Sequence, residues 1–532
     1  MAAIVTAQVP NGDFKNGIDG WTLVNNSGTA NLTHDRKQRA LEFEKGGAGG
    51  MDVARFDLHD IPKPGTEFTL KARFKANAVG NGWFKVFFYD RNGVDLGQGR
   101  EVQSLRGSYG FKEIALHLKV PDKATRATIF ILLVMPGTLW VDDIDLWVPM
   151  VAKSARPPLK DKKLKKWLDA NATPMTTLSV KAGMRDLAPL AKQLAGVRIV
   201  QLGENTHGDA LAFAAKVRLV RWLHERMGFD VVAFESGLFE CERANRLLGP
   251  DGNAKAAMRA SVFPIWHTKS TLPLFEYMIE QSSTRKPMRL TGFDVRKSGG
   301  DADRLVPDTL AFLEGAGVVV DGDATPQELL ALVFANRAAL VKAHSERDVA
   351  FNARALMLAI EEPKFEALKG KERTNVRDRM MAENLRWLAE ERYPKAKIVC
   401  WAATAHQARS LDKVRNHGSP MYDGVTMMGD HVHRAFGRKC YTIGFVSHGG
   451  WAGLWTMQNF KVPTPEHNSV EEALFRYGAS PLFVPFRRSA PFRWPRPMAP
   501  MSYGRGIAAP WPKVLDAIIY FDEMEPAQHM GK

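Results

Sequence analysis

The stretch Val197-Arg-Ile-Val-Gln-Leu-Gly-Glu-Asn-Thr-His-Gly-Asp209 decides the fold of the larger part of this chain. It opens as a short apolar run with β-branched residues, which is typical of a buried strand. The pattern then becomes helical as far as Gly228, and a second apolar run ends on Glu235. Since the connection is long enough for a helical crossover, this order predicts a strand–helix–strand unit with parallel strands.

The same unit carries the first candidates for chemistry. Glu204 and His207 follow the first strand, and Glu235 ends the second. Parallel strands joined by a right-handed crossover end at the same edge of the sheet, where open α/β sheets hold their ligands. The three side chains are therefore expected to meet at one edge. Gly208, next to His207, is expected to let a ligand approach the backbone.

Length and composition bound the class of protein. The chain has 532 residues, which predicts two or more domains. Its hydrophobic and charged fractions, 45% and 25%, are those of a soluble globular protein, and no apolar run is long enough to span a bilayer. Three cysteines lie far apart and predict neither a disulfide framework nor a metal site.

The net charge of +15 does not by itself predict a nucleic-acid partner. The most basic run, residues 160–166, indicates a solvated linker or helix face, and no nucleic-acid-binding motif accompanies it. At the amino terminus, Val5-Thr-Ala7 resembles the small-residue end of a signal peptide, without the charged region that would precede it. Two localisations stay open: export to the periplasm or the medium after trimming of a signal, or the cytoplasm.

Residues 1–150 are predicted to form an all-β sandwich, because short alternating runs recur between Gly- and Pro-containing turns. Residues 151–185 are rich in Pro and Lys and are predicted to be a linker with a short helix near 163–170. The expected sandwich strands are 41–43, 68–74, 83–89, 111–118, 127–134 and 139–147.

The ends of this first domain resemble carbohydrate-binding-module-like jelly rolls. The resemblance is carried by Asn11-Gly-Asp-Phe-Lys-Asn-Gly17 with Trp21, and by Leu139-Trp-Val-Asp-Asp-Ile-Asp-Leu146. It implies a carbohydrate partner, for which Trp21, Trp83 and Tyr89 are the candidate ring-stacking residues. The alternative is that these aromatic side chains fill the core of the sandwich.

Residues 186–532 alternate between strand and helix patterns, which predicts an α/β hydrolase-type domain with a mostly parallel sheet flanked by helices. Long helical patterns fill about 307–360 and 373–391, and residues 485–512 are expected to be a loop that wraps the sheet. The expected strands are 198–202, 231–235, 288–293, 397–401, 441–445 and 517–521.

Polar residues follow several of these strands. Asp294 ends the third strand, His406 follows the fourth and His448 follows the fifth, while His267 lies in the loop after the second. Each has a plain structural alternative, since a carboxylate can cap a helix and a lone histidine is often hydrogen-bonded in a core. Their convergence on one edge is better explained by a functional site.

Three chemistries suit such an edge. Water can be activated by His207 as a general base, with a carboxylate that orients the imidazole. Histidines and carboxylates can also bind a divalent metal. A covalent nucleophile has the least support, because no Gly-x-Ser-x-Gly segment is present. Phosphate- and dinucleotide-binding motifs are absent as well, so no cofactor is predicted.

At these residues the chain resembles the erythromycin esterase family over about 185–527. The resemblance implies hydrolysis of an ester by water, typically in a macrolactone. It implies that His207 is the general base, that Glu204 and Glu235 are essential carboxylates, and that His406 is a later active-site histidine. The matching segments are 201–208, 234–236, 292–294, 377–385, 398–402 with His406, 428–429, 441–445 and the segment near Phe521.

Arg377 belongs to the Arg-Asp motif of that family, and Arg377, Asp294, His267 and His448 are the candidate substrate-binding residues. One departure concerns the Trp-x-His-Asn pattern of the family, whose last two positions are here Ala403 and Thr404. The expected partner is a small-molecule ester, glycosylated or not. Two further functions stay open: a metal-dependent hydrolase at the same site, and a binding protein whose active site has degraded.

Overall fold

The computed structural model describes residues 4–530 apart from 10–11, 13, 15–17, 19, 26–29, 36–39, 48–49, 59–60, 62–63, 98–100, 150–155, 181, 321, 455–458, 487–490 and 493–494. The chain forms two compact units, Met1–Ala155 and Arg156–Lys532. Most of the Asn11–Gly17 motif, and parts of the 485–512 stretch, lie outside the described residues.

The first unit consists of two antiparallel sheets. One sheet has the order β3-β4-β11-β6-β9, with β1 also paired to β11, and the other has the order β2-β5-β10-β7-β8. The strands are β1 (Ile4–Gln8), β2 (Thr22–Asn25), β3 (Ala30–Asp35), β4 (Ala40–Lys45), β5 (Asp52–Leu58), β6 (Glu67–Val79), β7 (Gly82–Tyr89), β8 (Glu101–Ser104), β9 (Gly107–Lys119), β10 (Arg126–Leu133) and β11 (Gly137–Pro149).

The sandwich arises from residue alternation, because successive side chains of a strand point to opposite faces of the sheet. On β7, Phe84 and Phe88 are buried, and they contact Phe74 and Phe68 of the facing sheet at ring-centroid distances of 5.1 and 6.3 Å. The predicted all-β architecture of this part of the chain is thereby confirmed.

The prediction that Trp21 stacks on a sugar is wrong. Its side chain is only 7% exposed and lies between Phe14 and Phe56, at ring-centroid distances of 5.4 and 5.2 Å. An indole enclosed by two phenyl rings offers no face to a sugar ring, so the alternative of a core residue applies here.

The second unit is built on a mixed sheet with helices around it. Its strands are β12 (Thr173–Pro174), β13 (Ile199–Leu202), β14 (Phe229–Gly237), β15 (Arg289–Asp294), β16 (Lys397–Trp401), β17 (Arg415–Asn416), β18 (Ser419–Pro420), β19 (Cys440–Gly453), β20 (Asn459–Lys461), β21 (Leu482–Pro485), β22 (Arg496–Pro497), β23 (Ile507–Ala509) and β24 (Ala517–Met524). Its helices are α1 (Lys162–Asn171), α2 (Leu190–Gln193), α3 (Ala210–Met227), α4 (Leu238–Arg243), α5 (Ala254–Ser261), α6 (Leu272–Ser282), α7 (Leu305–Glu314), α8 (Pro326–Ala335), α9 (Arg337–Ala343), α10 (Glu346–Ala367), α11 (Gly370–Trp387), α12 (Thr404–Gln407), α13 (Met428–Phe436) and α14 (Val470–Tyr477).

The main sheet has the order β12-β21-β24-β19-β13-β16-β14-β15. From β24 to β15 neighbouring strands are parallel, and β21 and β12 continue the sheet antiparallel. These parallel strands coincide with the strands expected from the sequence. Because β16 lies between β13 and β14, the crossover through α3 skips one strand, and the residues after β16 come between Glu204 and Glu235.

The helical patterns expected over about 307–360 are confirmed as α7, α8, α9 and α10. One expectation about the periphery needs correction. Residues from Arg156 onward, expected to be a linker, belong to the second unit, where α1 buries Leu164 and Leu168 in a core with Val484 and Leu515. In the part of the chain that the structure describes, no helix is long and apolar enough to cross a membrane.

Gly208 also meets a packing requirement. A Cβ atom there would lie 2.5 Å from the backbone of Gly453, and the N–H of Gly453 donates to the Gly208 carbonyl at 3.1 Å. The small residue is required by the close approach of two backbone segments, which fixes the turn that carries His207.

Candidate active site

Glu204 and His207 form a hydrogen-bonded pair directly after β13. Oε1 of Glu204 lies 2.7 Å from Nδ1 of His207. Glu204 is fully buried, while the His207 side chain keeps 23% of its surface exposed. No described residue hydrogen-bonds Nε2 of His207. The pair therefore presents one imidazole nitrogen to whatever occupies the site.

Two residues that the sequence analysis missed complete this pair. The Trp266 indole N–H donates to Oε1 of Glu204 at 2.9 Å, and its ring meets the His207 ring edge to face. The Lys216 ammonium pairs with Oε2 of Glu204 and lies 4.6 Å from the centre of the Trp401 ring. The sequence carried one signal for Lys216. It is the lone lysine among the apolar residues of α3, and a buried lysine requires a partner.

The electrostatics of this group keep Glu204 ionised. Burial raises the pKa of Glu204, but the Lys216 ammonium and the His207 imidazole outweigh it, so that pKa lies below its ordinary value. Burial also lowers the pKa of Lys216 to about 8, although Glu204 opposes this change. Near neutral pH both members of the pair are charged.

A second group lies after β14 and β15. Arg377, on α11, donates from Nη2 to Oε1 of Glu235 at 2.7 Å and to Oδ2 of Asp294 at 2.6 Å. Arg296 also donates to Oδ2 of Asp294, at 2.9 Å. Burial opposes ionisation of Glu235, but His406 and Arg377 lower its pKa to about 2, and Arg377 and Arg296 hold the pKa of Asp294 low as well. Both carboxyl groups are ionised at neutral pH.

His406 joins the second group through both ring nitrogens. Nδ1 lies 2.7 Å from Oδ1 of Asp378, and Nε2 lies 3.1 Å from Nη1 of Arg377 and 3.4 Å from Oε1 of Glu235. Burial lowers the pKa of His406, but Asp378 and Glu235 reverse this and raise it overall. Asp378, the second residue of the Arg-Asp motif, therefore orients an imidazole.

The turn after β16 links the two groups. The Ala403 N–H donates to Oε2 of Glu235 at 3.0 Å, and the Thr404 N–H donates to the Glu204 carbonyl at 2.9 Å. The field of His207 also contributes to the lowered pKa of Glu235. The position where the family pattern has histidine thus contributes a backbone donor to this site.

The structure does not bring His267 and His448 into either group. Nε2 of His267 lies 3.0 Å from the Val262 carbonyl, so this ring is held by its own loop. Nε2 of His448 lies 2.8 Å from Oε2 of Glu472, and the ring stacks on Phe475 of α14. The assignment of these two histidines to substrate binding finds no support in their contacts, because Nε2 of each ring is engaged elsewhere.

Trp83 and Tyr89 occupy the outer face of β7 in the first unit. Both are partly exposed, and the cations of Lys85 and Arg126 lie over their rings at 4.3 and 4.6 Å. Their role in carbohydrate binding stays a prediction. Among the described residues, no group of three or more His, Cys, Asp or Glu side chains has the arrangement of a metal site.

Fold and site together define an α/β protein with two histidine–carboxylate groups at the carboxyl edge of a parallel sheet. A family model described as erythromycin esterase matches residues 224–315 and 320–524, and the chain belongs to that family. The predicted resemblance is thereby confirmed, and the protein is placed among hydrolases. The match includes Glu235, Arg377 and His406, whereas Glu204 and His207 precede it.

Individual relatives agree with this family. A Bacillus subtilis (strain 168) protein named as a hydrolase, YbfO, is 31% identical over 382 residues, covering 63% of this chain and 83% of the relative. Erythromycin esterase type II of Escherichia coli is 22% identical over 361 residues, covering 57% and 84%. A crystal structure of a Bacillus cereus protein matches 70% of this chain and all of its own, at 19% identity and a TM-score of 0.56, which shows a shared fold.

A carbohydrate-binding-module structure, CBM4, also matches 26% of the chain at 16% identity and a TM-score of 0.22. A likeness at this level does not identify a ligand.

Proposed function

We propose that the second unit hydrolyses a carboxylic ester by attack of water, with His207 as the general base. The observation that carries this proposal is the hydrogen bond between Nδ1 of His207 and the ionised Glu204, with no described hydrogen bond on Nε2. A carboxylate that accepts from Nδ1–H selects the tautomer whose lone pair is on Nε2, and it stabilises the imidazolium that forms when that nitrogen takes a proton.

The carboxylates of the second group are less suited to this role. Glu235 has a pKa of about 2, held there against burial by His406 and Arg377, so it is a weak base at neutral pH. Asp294 accepts hydrogen bonds from two guanidinium groups, those of Arg296 and Arg377. These contacts support a histidine base over a carboxylate base.

In the proposed reaction, Nε2 of His207 takes a proton from water while the water oxygen attacks the ester carbon. Negative charge develops on the carbonyl oxygen, and the guanidinium of Arg377 in the second group is the candidate to stabilise it. The C–O bond to the alcohol then breaks, and the imidazolium returns its proton to the leaving oxygen. Glu235 fixes Arg377 and His406, and accepts from the Ala403 N–H.

The name of one relative, an erythromycin esterase, supports an ester substrate. We infer an ester within a macrolactone or linked to a saccharide, the latter because a β-sandwich precedes the enzyme unit. Ala403 and Thr404 replace a histidine and an asparagine of the family pattern. One imidazole and one amide of that pattern are consequently missing here, which favours an ester other than that of a macrolide.

The test is a screen of soluble aryl, lactone and sugar esters with the full-length protein, followed by His207→Ala on any ester that is cleaved. We expect a loss of about 10²–10⁴-fold in kcat, because a positioned base is removed. His207→Asn, which keeps a hydrogen-bonding group but takes up no proton at neutral pH, is expected to be equally impaired. His467→Ala, at an exposed histidine, is the matched control.

Normal thermal unfolding of the His207 variants is expected beside the loss of turnover. Full activity of His207→Ala would overturn the proposed mechanism, and absence of turnover on every ester class would favour a binding protein instead.

A further inference from the structure

Asp209 is a buried carboxylate that none of the reaction steps above uses. Its side chain has zero exposure, and it lies two residues after His207, directly before α3. An aspartate before a helix usually accepts a hydrogen bond from an N–H of the first turn, but the Asp209 side chain makes no such bond. Its Oδ1 accepts from the Thr206 hydroxyl at 2.7 Å, and its Oδ2 accepts from the Thr206 N–H at 3.1 Å. The carboxylate therefore closes the turn that carries His207 instead of capping the helix.

A further donor to Asp209 comes from a distant part of the chain. Tyr503 lies in the loop of residues 498–506, between β22 and β23, and its hydroxyl donates to Oδ2 of Asp209 at 3.2 Å. Burial raises the pKa of Tyr503 well above its ordinary value, so the phenol stays a proton donor at neutral pH. Burial also raises the pKa of Asp209 to about 7, while the bonds from Thr206 and Tyr503 lower it. These bonds therefore favour the ionised carboxylate, which accepts them.

The 498–506 loop is itself held in place and contacts the turn at a second point. The N–H of Ala499 donates to Oε1 of Glu471, on α14, at 2.7 Å, and Glu471 is buried. The carbonyl of Ala499 accepts from the side-chain amide of Asn205, which precedes His207 by two residues. The loop thus holds the catalytic turn on both sides of the proposed base.

We propose that Asp209 and Tyr503 are positioning residues for His207, through which the 498–506 loop sets the orientation of the general base. This inference rests on the proposed function, because it assigns both residues to the same hydrolytic step. A catalytic group has to be held within about 0.5 Å of its productive position by residues that do not touch the substrate. Glu204 orients the His207 ring through Nδ1, but the turn that carries both residues needs its own support.

The first experiment compares Tyr503→Phe with the parent in the full-length protein, since this change removes the hydroxyl and keeps the ring. We expect kcat on any ester that the parent cleaves to fall by about 10-fold or more with little change in KM, because a displaced base slows the chemical step without weakening substrate binding. Tyr520→Phe is the matched control. Tyr520 is also buried and donates to a carboxylate, Oδ1 of Asp522 at 3.0 Å, that the proposed reaction does not use.

Further variants separate positioning from a purely structural role. Thr206→Val removes the hydroxyl that Asp209 accepts and should reduce kcat as Tyr503→Phe does, whereas Thr206→Ser keeps a hydroxyl and should retain the rate of the parent. In a His207→Ala background, Tyr503→Phe should leave the residual rate unchanged, because the loop acts only through the imidazole.

The position of His207 is also measured without turnover, from the low-field NMR resonance of the Nδ1 proton that Glu204 accepts. His207→Ala identifies this resonance by its loss, and the corresponding proton of His406, which bonds Asp378, is an internal reference. We expect the His207 resonance to shift in Tyr503→Phe while that of His406 stays. Because this readout needs no substrate, failure of the proposed hydrolysis and failure of this inference are distinguishable.

Three results would overturn the proposal. One is an unmoved His207 resonance in Tyr503→Phe, and another is a kcat that falls no further than in Tyr520→Phe. The third is a residual rate in His207→Ala that Tyr503→Phe lowers further, since Tyr503 would then act on a different group. If Tyr503→Phe does not fold, Thr206→Val is held to the same three criteria.

Discussion

The ammonium of Lys216 and the carboxylate of Glu204 form an ion pair from which solvent is excluded, since both side chains have zero exposure. Lys216 comes from α3 and Glu204 from the loop before that helix, so the helix fixes the carboxylate that holds His207. Burial of two opposite charges stabilises a fold little, whereas removal of one partner leaves the other uncompensated. We interpret Lys216 as a positioning residue for the proposed base.

Replacement of Lys216 by Met is expected to reduce kcat by about 10-fold or more and to destabilise the second unit by about 3–5 kcal/mol. Without the ammonium, the pKa of Glu204 rises, so the acidic limb of the pH–rate profile should move to higher pH. Lys216→Arg should restore part of the original profile, and Lys192→Met, at an exposed lysine, should change neither property. An unmoved pH profile in an active Lys216→Met protein would leave the lysine a purely structural role.

Exhaustive chelation is expected to leave ester hydrolysis unchanged. Glu204, Glu235 and Asp294 already have cationic partners, Lys216 for the first and Arg377 for the other two, and these cations would repel a divalent ion. Metal analysis of the active protein, before and after chelation, measures this directly. Stoichiometric zinc or manganese whose removal abolishes turnover would instead support the metal-dependent alternative.

A chain that begins at Arg156 is expected to fold and to retain hydrolytic activity. Nη1 of Arg156 donates to Asp522 at 3.1 Å, and α1 contributes Leu164 and Leu168 to a core of the second unit. A chain that begins at residue 172 lacks these contacts and should aggregate or melt at lower temperature. Circular dichroism and turnover compare the two; equal behaviour would mean that α1 contributes no stability.

The buried Glu471 is expected to make stability depend on pH. Burial raises its folded pKa to about 7, above the ordinary value near 4.5, so the folded state binds more protons between these two values. Stability associated with this group is present at acid pH and is lost as pH rises from about 4.5 to 7. Glu471→Gln should therefore raise the melting temperature at pH 8 relative to the parent. The corresponding gain in the free energy of unfolding is at most about 3 kcal/mol at pH 8, with little difference at pH 4.

The exposed Glu314→Gln should show no such trend. A Glu471→Gln protein no more stable than the parent at pH 8 would mean that the carboxylate already has a partner there.

Trp83→Ala is expected to weaken binding of the protein to polysaccharide, if the outer face of β7 is the sugar site, because aromatic faces stack on sugar rings. Trp140→Ala is the control, since Trp140 is a partly exposed tryptophan on the opposite sheet of the sandwich. Affinity electrophoresis in gels that contain soluble glycans measures both. Equal retardation of the parent and Trp83→Ala by every glycan would remove Trp83 from any such site.

The sequence by itself determined the architecture of the protein, because backbone periodicity is a local property. Strands 198–202, 231–235 and 397–401 were readable from short apolar runs, and their parallel direction followed from the helical crossovers between them. The same logic placed Glu204, His207 and Glu235 at one edge. The resemblance to the family added Arg377 and His406 as candidate site residues.

Only the tertiary structure decided which side chains pair. Strand order is a long-range property: β16 enters between β13 and β14, which makes the backbone of residues 403–404 the link between the two groups. Trp21, just before β2, packs between Phe14 and Phe56 in the core, whereas Trp83 faces outward because the register of β7 places it on the outer face. The sequence did not predict a role for Lys216, Trp266 or Glu471, for a related reason. A buried charge or indole is significant only through the partner it meets or lacks, and that partner lies far away in the sequence.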